Sequence, residues 1–451
     1  MSAGPHTLVL GLGASGEAAA RLLLGEGCRV VVADRNDTPA LRGRASGLEK
    51  AGAQVVLGWA GSDAMDAALC VVSPGVPIDS APVRALRKRG IPVVSELELA
   101  ATRCRCPIVS VTGSNGKSTM VKLCGDVLRR GGARVELAGN YGPPLSGVVA
   151  RSHALDWVVV EASSFQLEGV DTFRPRVGVL MNLNPNHLDR HRTLAAYRRA
   201  KMRQFTRMRS GDSAVVHESQ FAAFRRGLPD AAGASWVRFG EGARATFRFD
   251  DGAVICGASA SGDRFSVRGT YFDNPVLGQT AAAAAAVASA CGFAPGLVAQ
   301  AAESFVPLPH RTRQVAEVRG VRFIDDSKAT TLAAMAAGIR MTGGPIRLIA
   351  GGRLKEHRLD GVKKVLVSHV RAIYLIGESR SAMARAWGEV LACRDCGTLR
   401  EAVLQAWGDS QPGEAILLSP GCASFDQFRS FEERGDQFGA IAAAIAEGSG
   451  S

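Results

Sequence analysis

The chain has no long apolar run. Across its 451 residues no stretch reaches membrane-spanning length, and the alanine tract Ala281–Ala286 is short enough to read as a packed helix. It has no basic leader: "MSAGPHTLVLGLGASG" enters a strand-like segment directly, so no signal peptide is expected. A cytoplasmic protein without a membrane partner follows. Cysteine has no framework, since the ten thiols are scattered. Cys104/Cys106 and Cys393/Cys396 are close pairs without a matching second pair, so reduced thiols are expected rather than a zinc site. Aromatic residues make up only 6% of the chain, and few interleave with the arginines of residues 190–209. Despite the net charge of +12, no nucleic-acid module is recognisable. The basic stretch reads as a solvated face near a phosphate site. Strict repeats and low-complexity linkers are absent.

What is present is an ordinary globular composition, 46% hydrophobic and 21% charged, in a chain long enough for several domains. Three segments emerge. Residues 1–97 alternate strand-like runs (Thr7–Leu10, Arg29–Ala33, Leu69–Ser73, Pro92–Ser95) with helical ones, the βα pattern of a parallel sheet. Residues 98–306 contain Ile108–Thr112, Trp157–Glu161 and Val177–Asn182, and end in the alanine-rich helix and "FVPLPHRTR". Residues 307–451 alternate again, with strands expected at Val321–Asp325, Ile346–Ala350, Ala372–Ile376 and Ala415–Leu418.

Two glycine turns follow strands. "GLGASG" supplies Gly11, Gly13 and Gly16, which permit a tight turn and a close approach of phosphates to a helix N-terminus. Asp34 ends the next strand, where a sugar-binding carboxylate often sits. "VTGSNGKST" is more specific. The backbone of Gly113, Ser114, Asn115 and Gly116 can cradle phosphates, Lys117 can neutralise them, and Ser118 or Thr119 can hold Mg2+. Its glycines are closer together than in the standard P-loop.

That short loop resembles the Mur ligase family, ATP-dependent amide-forming enzymes of bacterial peptidoglycan precursor synthesis. "SPGVP" (Ser73–Pro77), "EASSFQLE" (Glu161–Glu168), "LPHRTR" (Leu308–Arg313), "DDSKAT" (Asp325–Thr330) and "LLSPGCASFDQFRSFEERG" (Leu417–Gly435) are similar, in order, to signatures of the branch that adds D-glutamate to UDP-N-acetylmuramoyl-L-alanine. The resemblance implies an α/β protein of three domains. These are a Rossmann-like UDP-sugar domain (1–97), a central P-loop ATPase-type domain with a mostly parallel sheet (98–306), and a Rossmann-like acceptor domain (307–451). It implies ATP, two Mg2+ ions, small-molecule substrates and a monomer. Lys117 would contact the ATP phosphates; Ser118 or Thr119, with Glu161, would bind one Mg2+; His187, in "NPNHLDRH", would bind a second. Arg311 would touch phosphate, and Asp326 and Lys328 would serve the nucleotide and reaction centre. Ser15, Asp34, Ser73, Asn140 and Ser163 are implied at the nucleotide-sugar end, and Thr330, Lys355, Ser424 and Phe431 at the acceptor. Assembly of such a site from separate domains implies closure on binding.

Several positions depart from the family pattern. The usual HN-x-x-N stretch is replaced by "YFDNPVLGQTAAAA", with Asn274 the nearest asparagine. Asn186 and Arg353 stand where Asp is common, and Thr331 where Asn is usual. Adenine contacts and the identity of the acceptor stay open at this point. So do another Mur-type acceptor and, from a different class, a nucleotide-regulated nucleic-acid-binding protein without ligase chemistry.

Lys201, in "AYRRAKMRQF", is separate from the arginines around it. On a helix over Thr193–Arg209, Leu194, Tyr197, Lys201, Phe205 and Met208 form an apolar stripe, while Arg199, Arg203 and Arg207 face away and Arg198 flanks it. Burial and the nearby arginines would lower its pKa. A neutral lysine can take up CO2 as a carbamate, which arginine cannot. The family resemblance implies a carbamylated lysine here, holding the second Mg2+.

Overall fold

The computed structural model describes residues 6–61, 67–228, 233–257, 263–355 and 358–448; residues 1–5 of the N-terminal stretch and Glu356 of "GGRLKE" lie outside them. Among the described residues, short β-branched runs build three sheets. The first is all parallel, in the order Gln54–Val56, Val30–Ala33, His6–Leu10, Ala67–Val72, Val93–Ser95. Successive residues enter opposite faces: Val9, Val32 and Val71 pack on one side, Leu8, Val31, Cys70 and Val72 on the other. Helices cover both faces of such a sheet, so its strands read as unbroken apolar runs. Strand order reverses beside His6–Leu10, and the Gly11–Gly16 turn follows that strand, at the switch point where α/β sheets bind ligands.

The second sheet has nine strands. Val135–Gly139, Trp157–Glu161, Ile108–Thr112, Val177–Leu180, Ser213–His217, Ser235–Gly240 and Phe247–Asp250 run parallel in that order. Ala253–Cys256 and Arg264–Ser266 add an antiparallel edge. The third sheet runs Arg313–Val318, Val321–Asp325, Ala415–Leu418, Ile346–Gly351, Val370–Ile376, Ala392–Gly397, antiparallel only at its first pair. The chain forms two compact units, one of Met1–Arg268 with Gln279–Glu303, the other of Gly269–Gly278 with Ser304–Ser451.

Within the first unit, two buried glutamates tie the first sheet's last helix to the second sheet's loops. Glu98 accepts from the backbone N–H of Asp171, Thr172 and Phe173 at 3.0, 2.7 and 3.0 Å, and Glu96 accepts from Ser146 N–H at 2.7 Å. The alanine tract is a packed helix as expected: Ala281–Ala286 lie within Pro275–Ala290 and are fully buried. No helix of the described residues is long and apolar enough to cross a membrane.

The helix expected over Thr193–Arg209 is shorter. It spans Leu194–Met202, capped by the Thr193 hydroxyl, and tightens into a 3-10 turn at Arg203–Phe205. Tyr197, Lys201, Phe205 and Met208 are buried, but Leu194 is 42% exposed. One turn later, Tyr197 packs against the His187 and His191 rings and reaches Ser114 of the phosphate loop.

Candidate active site

The fully buried strand Ile108–Thr112 delivers the phosphate loop at its C-terminal end, and the helix Lys117–Arg130 starts directly after it. Gly116 caps that helix with φ +79°, a conformation that favours glycine. At Gly113, with φ +158°, a Cβ would stand 3.0 Å from the Met181 Cβ, close enough that Met181 would have to shift. The Asn182 side-chain oxygen accepts from Ser114 and Asn115 N–H at 3.1 and 2.9 Å, and its amide donates to the Asn115 carbonyl. This brace comes from the neighbouring strand's end. Lys117 Nζ folds back to the Ser114 carbonyl at 3.1 Å. The first-turn N–H groups of Lys117–Arg130 give the loop a positive end.

Ser118 Oγ donates to Glu161 Oε2 at 2.6 Å, and Asn140 Nδ2 donates to Glu161 Oε1 at 3.0 Å. Glu161 closes the strand Trp157–Glu161 and is almost wholly buried. Thr119, which follows Ser118 in the helix Lys117–Arg130, is also buried. A hydroxyl and a carboxylate are hard oxygen donors, the set that suits Mg2+. Among the described residues no three His, Cys, Asp or Glu side chains gather around one metal position.

Lys201 is 1% exposed. Its Nζ donates to the Gly113 carbonyl at 2.8 Å and to Thr112 Oγ1 at 3.2 Å, and lies 4.6 Å from the centre of the Tyr197 ring. Burial holds this amine well below the usual lysine range; the Lys117 cation adds to the shift and Glu161 opposes it. The arginines expected to contribute face away, and the cation responsible belongs to the phosphate loop. Tyr197 OH in turn lies 3.3 Å from Ser114 Oγ.

His187 has φ +54° and an exposed side chain, set edge-on to Phe165 at 4.9 Å and 6.3 Å from Tyr197. Asn186 accepts from the His187 N–H at 2.9 Å and so shapes this turn. Beside it is a cluster that motif reading passed over. Arg190 bonds Glu168 at 2.8 Å, stacks on Phe165 at 4.2 Å, and donates to the carbonyls of Pro74 and Val76 at 2.7 and 3.3 Å. His191 is buried, with Nε2 2.9 Å from Ser164 Oγ and Nδ1 3.2 Å from Glu168. The "SPGVP", "SSFQLE" and "HLDRH" stretches are thus tied together. The available signal was the last glutamate of "EASSFQLE", the second charge of that stretch after Glu161.

In the first sheet's domain, Asp34 accepts from Leu12 and Asn36 N–H at 2.7 and 2.8 Å, and Ser73 Oγ donates to the Gly11 carbonyl at 2.8 Å. Both hold the glycine turn. Ser15 lies half-buried in the first turn of the helix Ala14–Gly25. Ser163 forms a capping box with Gln166 at the start of Ser164–Leu167.

In the second unit, Asp326 accepts from Thr312 N–H and Oγ1, each at 3.2 Å, and from Ser419 Oγ at 2.7 Å. Burial pushes its carboxyl up to about 7, partly offset by those bonds. Lys328 Nζ sits 3.5 Å over the Phe431 ring, and the Arg311 carbonyl accepts from Tyr271 OH at 2.9 Å. Ser424 is buried, Thr330 half-buried, and Lys355 exposed. The departures acquire local roles. Asn274 accepts from Leu277 N–H at 2.9 Å and donates to the Tyr271 carbonyl, Thr331 caps Leu332–Thr342, and exposed Arg353 pairs with Glu378 at 3.0 Å. Threonine and asparagine both cap helices, so the change at Thr331 keeps the cap.

Residues 5–95 match the Mur ligase MurD-like N-terminal domain, residues 111–292 the Mur ligase middle domain, and residues 310–422 the Mur ligase glutamate ligase domain. The UDP-N-acetylmuramoylalanine–D-glutamate ligase of Pelotomaculum thermopropionicum is 39% identical over 460 residues, covering 98% of each chain. That of Anaeromyxobacter dehalogenans is 38% identical over 452 residues, covering 97% of each. The fold is similar to that of the MurF ligase of Thermotoga maritima in complex with ADP, with a TM-score of 0.62 at 15% identity over 97% of this chain and 98% of that one. Three Mur ligase domain matches along the chain, with relatives 38–39% identical over nearly its whole length, place it in the Mur ligase family.

Proposed function

We propose that this protein joins D-glutamate to the carboxylate of UDP-N-acetylmuramoyl-L-alanine and converts ATP to ADP and phosphate through an acyl phosphate. One observation carries the proposal: a single phosphate loop holds both the 2.6 Å Ser118–Glu161 pair and the buried Lys201, bonded to Gly113. The names of the full-length relatives support the choice of substrates.

A carboxylate is a poor electrophile, and phosphoryl transfer between two anions needs cations and fixed positions. Lys117 and the helix N-terminus behind it take the nucleotide phosphates; Arg311, Asp326 and Lys328 are the second unit's candidates for the nucleotide and the reacting carboxylate. The glutamate amine then forms the C–N bond at the acyl carbon and expels phosphate. Ser118 and Glu161 would hold one Mg2+, with Thr119 adjacent; His187 and a carbamylated Lys201 would hold another. Bound Mg2+ supplies neutralisation of phosphate charge. Carbamylation adds the neutral Lys201 nitrogen to CO2 and releases one proton. Ser15, Asp34, Ser73, Asn140 and Ser163 serve the nucleotide-sugar substrate; Thr330, Lys355, Ser424 and Phe431 serve the acceptor. The enzyme acts on small soluble substrates as a cytoplasmic monomer in a bacterium.

Phosphate release from ATP with UDP-N-acetylmuramoyl-L-alanine and a panel of D- and L-amino acids tests this. Turnover is expected with D-glutamate. Turnover only with another amino acid would move the assignment to a different Mur-type acceptor, and turnover with none would sink it.

A further inference from the structure

Cys104 and Cys106 lie in the connector between the helix Glu96–Ala101, which ends the first domain, and the strand Ile108–Thr112, which carries the phosphate loop. Their sulfur atoms are 3.7 Å apart, and Cys104 Sγ also lies 3.5 Å from the Cys106 carbonyl. The two thiols differ in access. Cys106 is buried against the apolar cluster of Ile108, Val149 and Phe173, while Cys104 is half-exposed. The intervening Arg105 is exposed and anchored by its N–H to Ser152 Oγ at 3.1 Å, which fixes the turn that brings the sulfurs together. No proposed step of ligation uses either thiol.

We infer that Cys104 and Cys106 form a reversible dithiol–disulfide site, with Cys104 the sulfur that meets a peroxide and Cys106 the sulfur that resolves it. Nucleophile and resolving thiol differ in character as this requires. The hydrogen bond shared by the two sulfurs lowers the half-exposed Cys104 thiol, while that neighbour and burial raise the Cys106 thiol. The Cys104 thiolate attacks one peroxide oxygen and breaks the O–O bond. This gives Cys104–S–OH and a hydroxide that leaves as water with a solvent proton. Cys106 sulfur then attacks Cys104 sulfur; the S–O bond breaks, and the departing hydroxide takes the Cys106 proton as water. Two thiols and one hydrogen peroxide become one disulfide and two waters. A thiol reductant reverses the change by exchange. Closing the bond shortens the sulfur separation from 3.7 Å to about 2.05 Å, a local movement of the connector. The site is independent of the ligase assignment.

Peptide mapping of the full-length protein tests it. Trypsin cuts after Arg103, Arg105 and Lys117, so Cys104–Arg105 and Cys106–Lys117 remain together only through a disulfide. After stoichiometric hydrogen peroxide the linked peptide should replace the free one, and dithiothreitol should restore the free form. In Cys106→Ser, dimedone should trap sulfenic acid at Cys104. The link should be lost in Cys104→Ser. If other thiols are oxidised while Cys104 stays free, or if Cys104 passes to sulfonic acid without a linked peptide, the inference is overturned.

Discussion

Lys201 Nζ lies 2.8 Å from the Gly113 carbonyl, so an amine shielded from solvent is bonded to the first glycine of the phosphate loop. Burial and Lys117 favour the neutral amine, the form that the proposed carbamylation of Lys201 requires. Lys201→Ala should lower phosphate release by about 100-fold or more, the scale of losing one preorganised electrostatic group. Short-chain carboxylates should restore part of that loss, while Lys201→Arg should stay inactive, since a guanidinium does not become a carbamate. Carbon-13 NMR of the parent in labelled bicarbonate should show one carbamate resonance that Lys201→Ala lacks. Full activity of the alanine variant would end the carbamate role.

Ser118 and Glu161 share a 2.6 Å hydrogen bond and should act as one unit. Ser118→Ala and Glu161→Gln should each raise the Mg2+ concentration needed for half-maximal turnover. The double variant should be little worse than the weaker single one, with a coupling energy of about 0.5–3 kcal/mol. Strictly additive losses would separate the two residues.

Asp326 predicts a pH signature in stability. Burial raises its carboxyl from 3.8 to about 7 in the folded protein. Between those values the folded state keeps a proton that the unfolded state has lost. The stabilising contribution is therefore complete below the unfolded value and disappears as pH rises through about 7. Asp326→Asn cannot ionise, so its urea midpoint relative to the parent should rise between about pH 5 and about pH 8.5. A constant difference across that range would contradict the shift.

Gly16 is demanded by packing. A Cβ there would stand 1.9 Å from the Gly11 carbonyl oxygen and 2.7 Å from Ser73 Oγ. Gly16→Ala must push the helix Ala14–Gly25 off the glycine turn, with a cost of about 1–3 kcal/mol or more by urea unfolding. Gly13→Ala, where a Cβ meets nothing within 4 Å, is the control and should stay close to the parent.

Ile108–Thr112, Trp157–Glu161, Val321–Asp325 and Ala415–Leu418 could be bounded in the sequence to the residue. They lie inside mostly parallel sheets, where burial on both faces selects short runs rich in Val, Ile and Leu. Strands such as Ser235–Gly240 and Arg264–Ser266 mix exposed and polar residues, and neither period nor composition marked them. The phosphate loop, Glu161 and Lys201 were legible because each chemical role requires one residue type in a fixed local setting. Asn182 bracing the loop, and Glu168 holding Arg190 and His191, were not. Each joins segments distant in the chain by ordinary polar side chains, and no local spacing records such a contact.

By itself the sequence determined the α/β class, the phosphate loop and the ordered signatures of the family, since these depend on local periodicity, on glycine's backbone freedom and on residue identity. Tertiary structure alone decided which cation shifts Lys201, which hydroxyl reaches Glu161 and which two cysteines meet. Those outcomes depend on distances of a few ångströms between segments and on the loss of solvent around them, and both arise only when the sheets and helices pack.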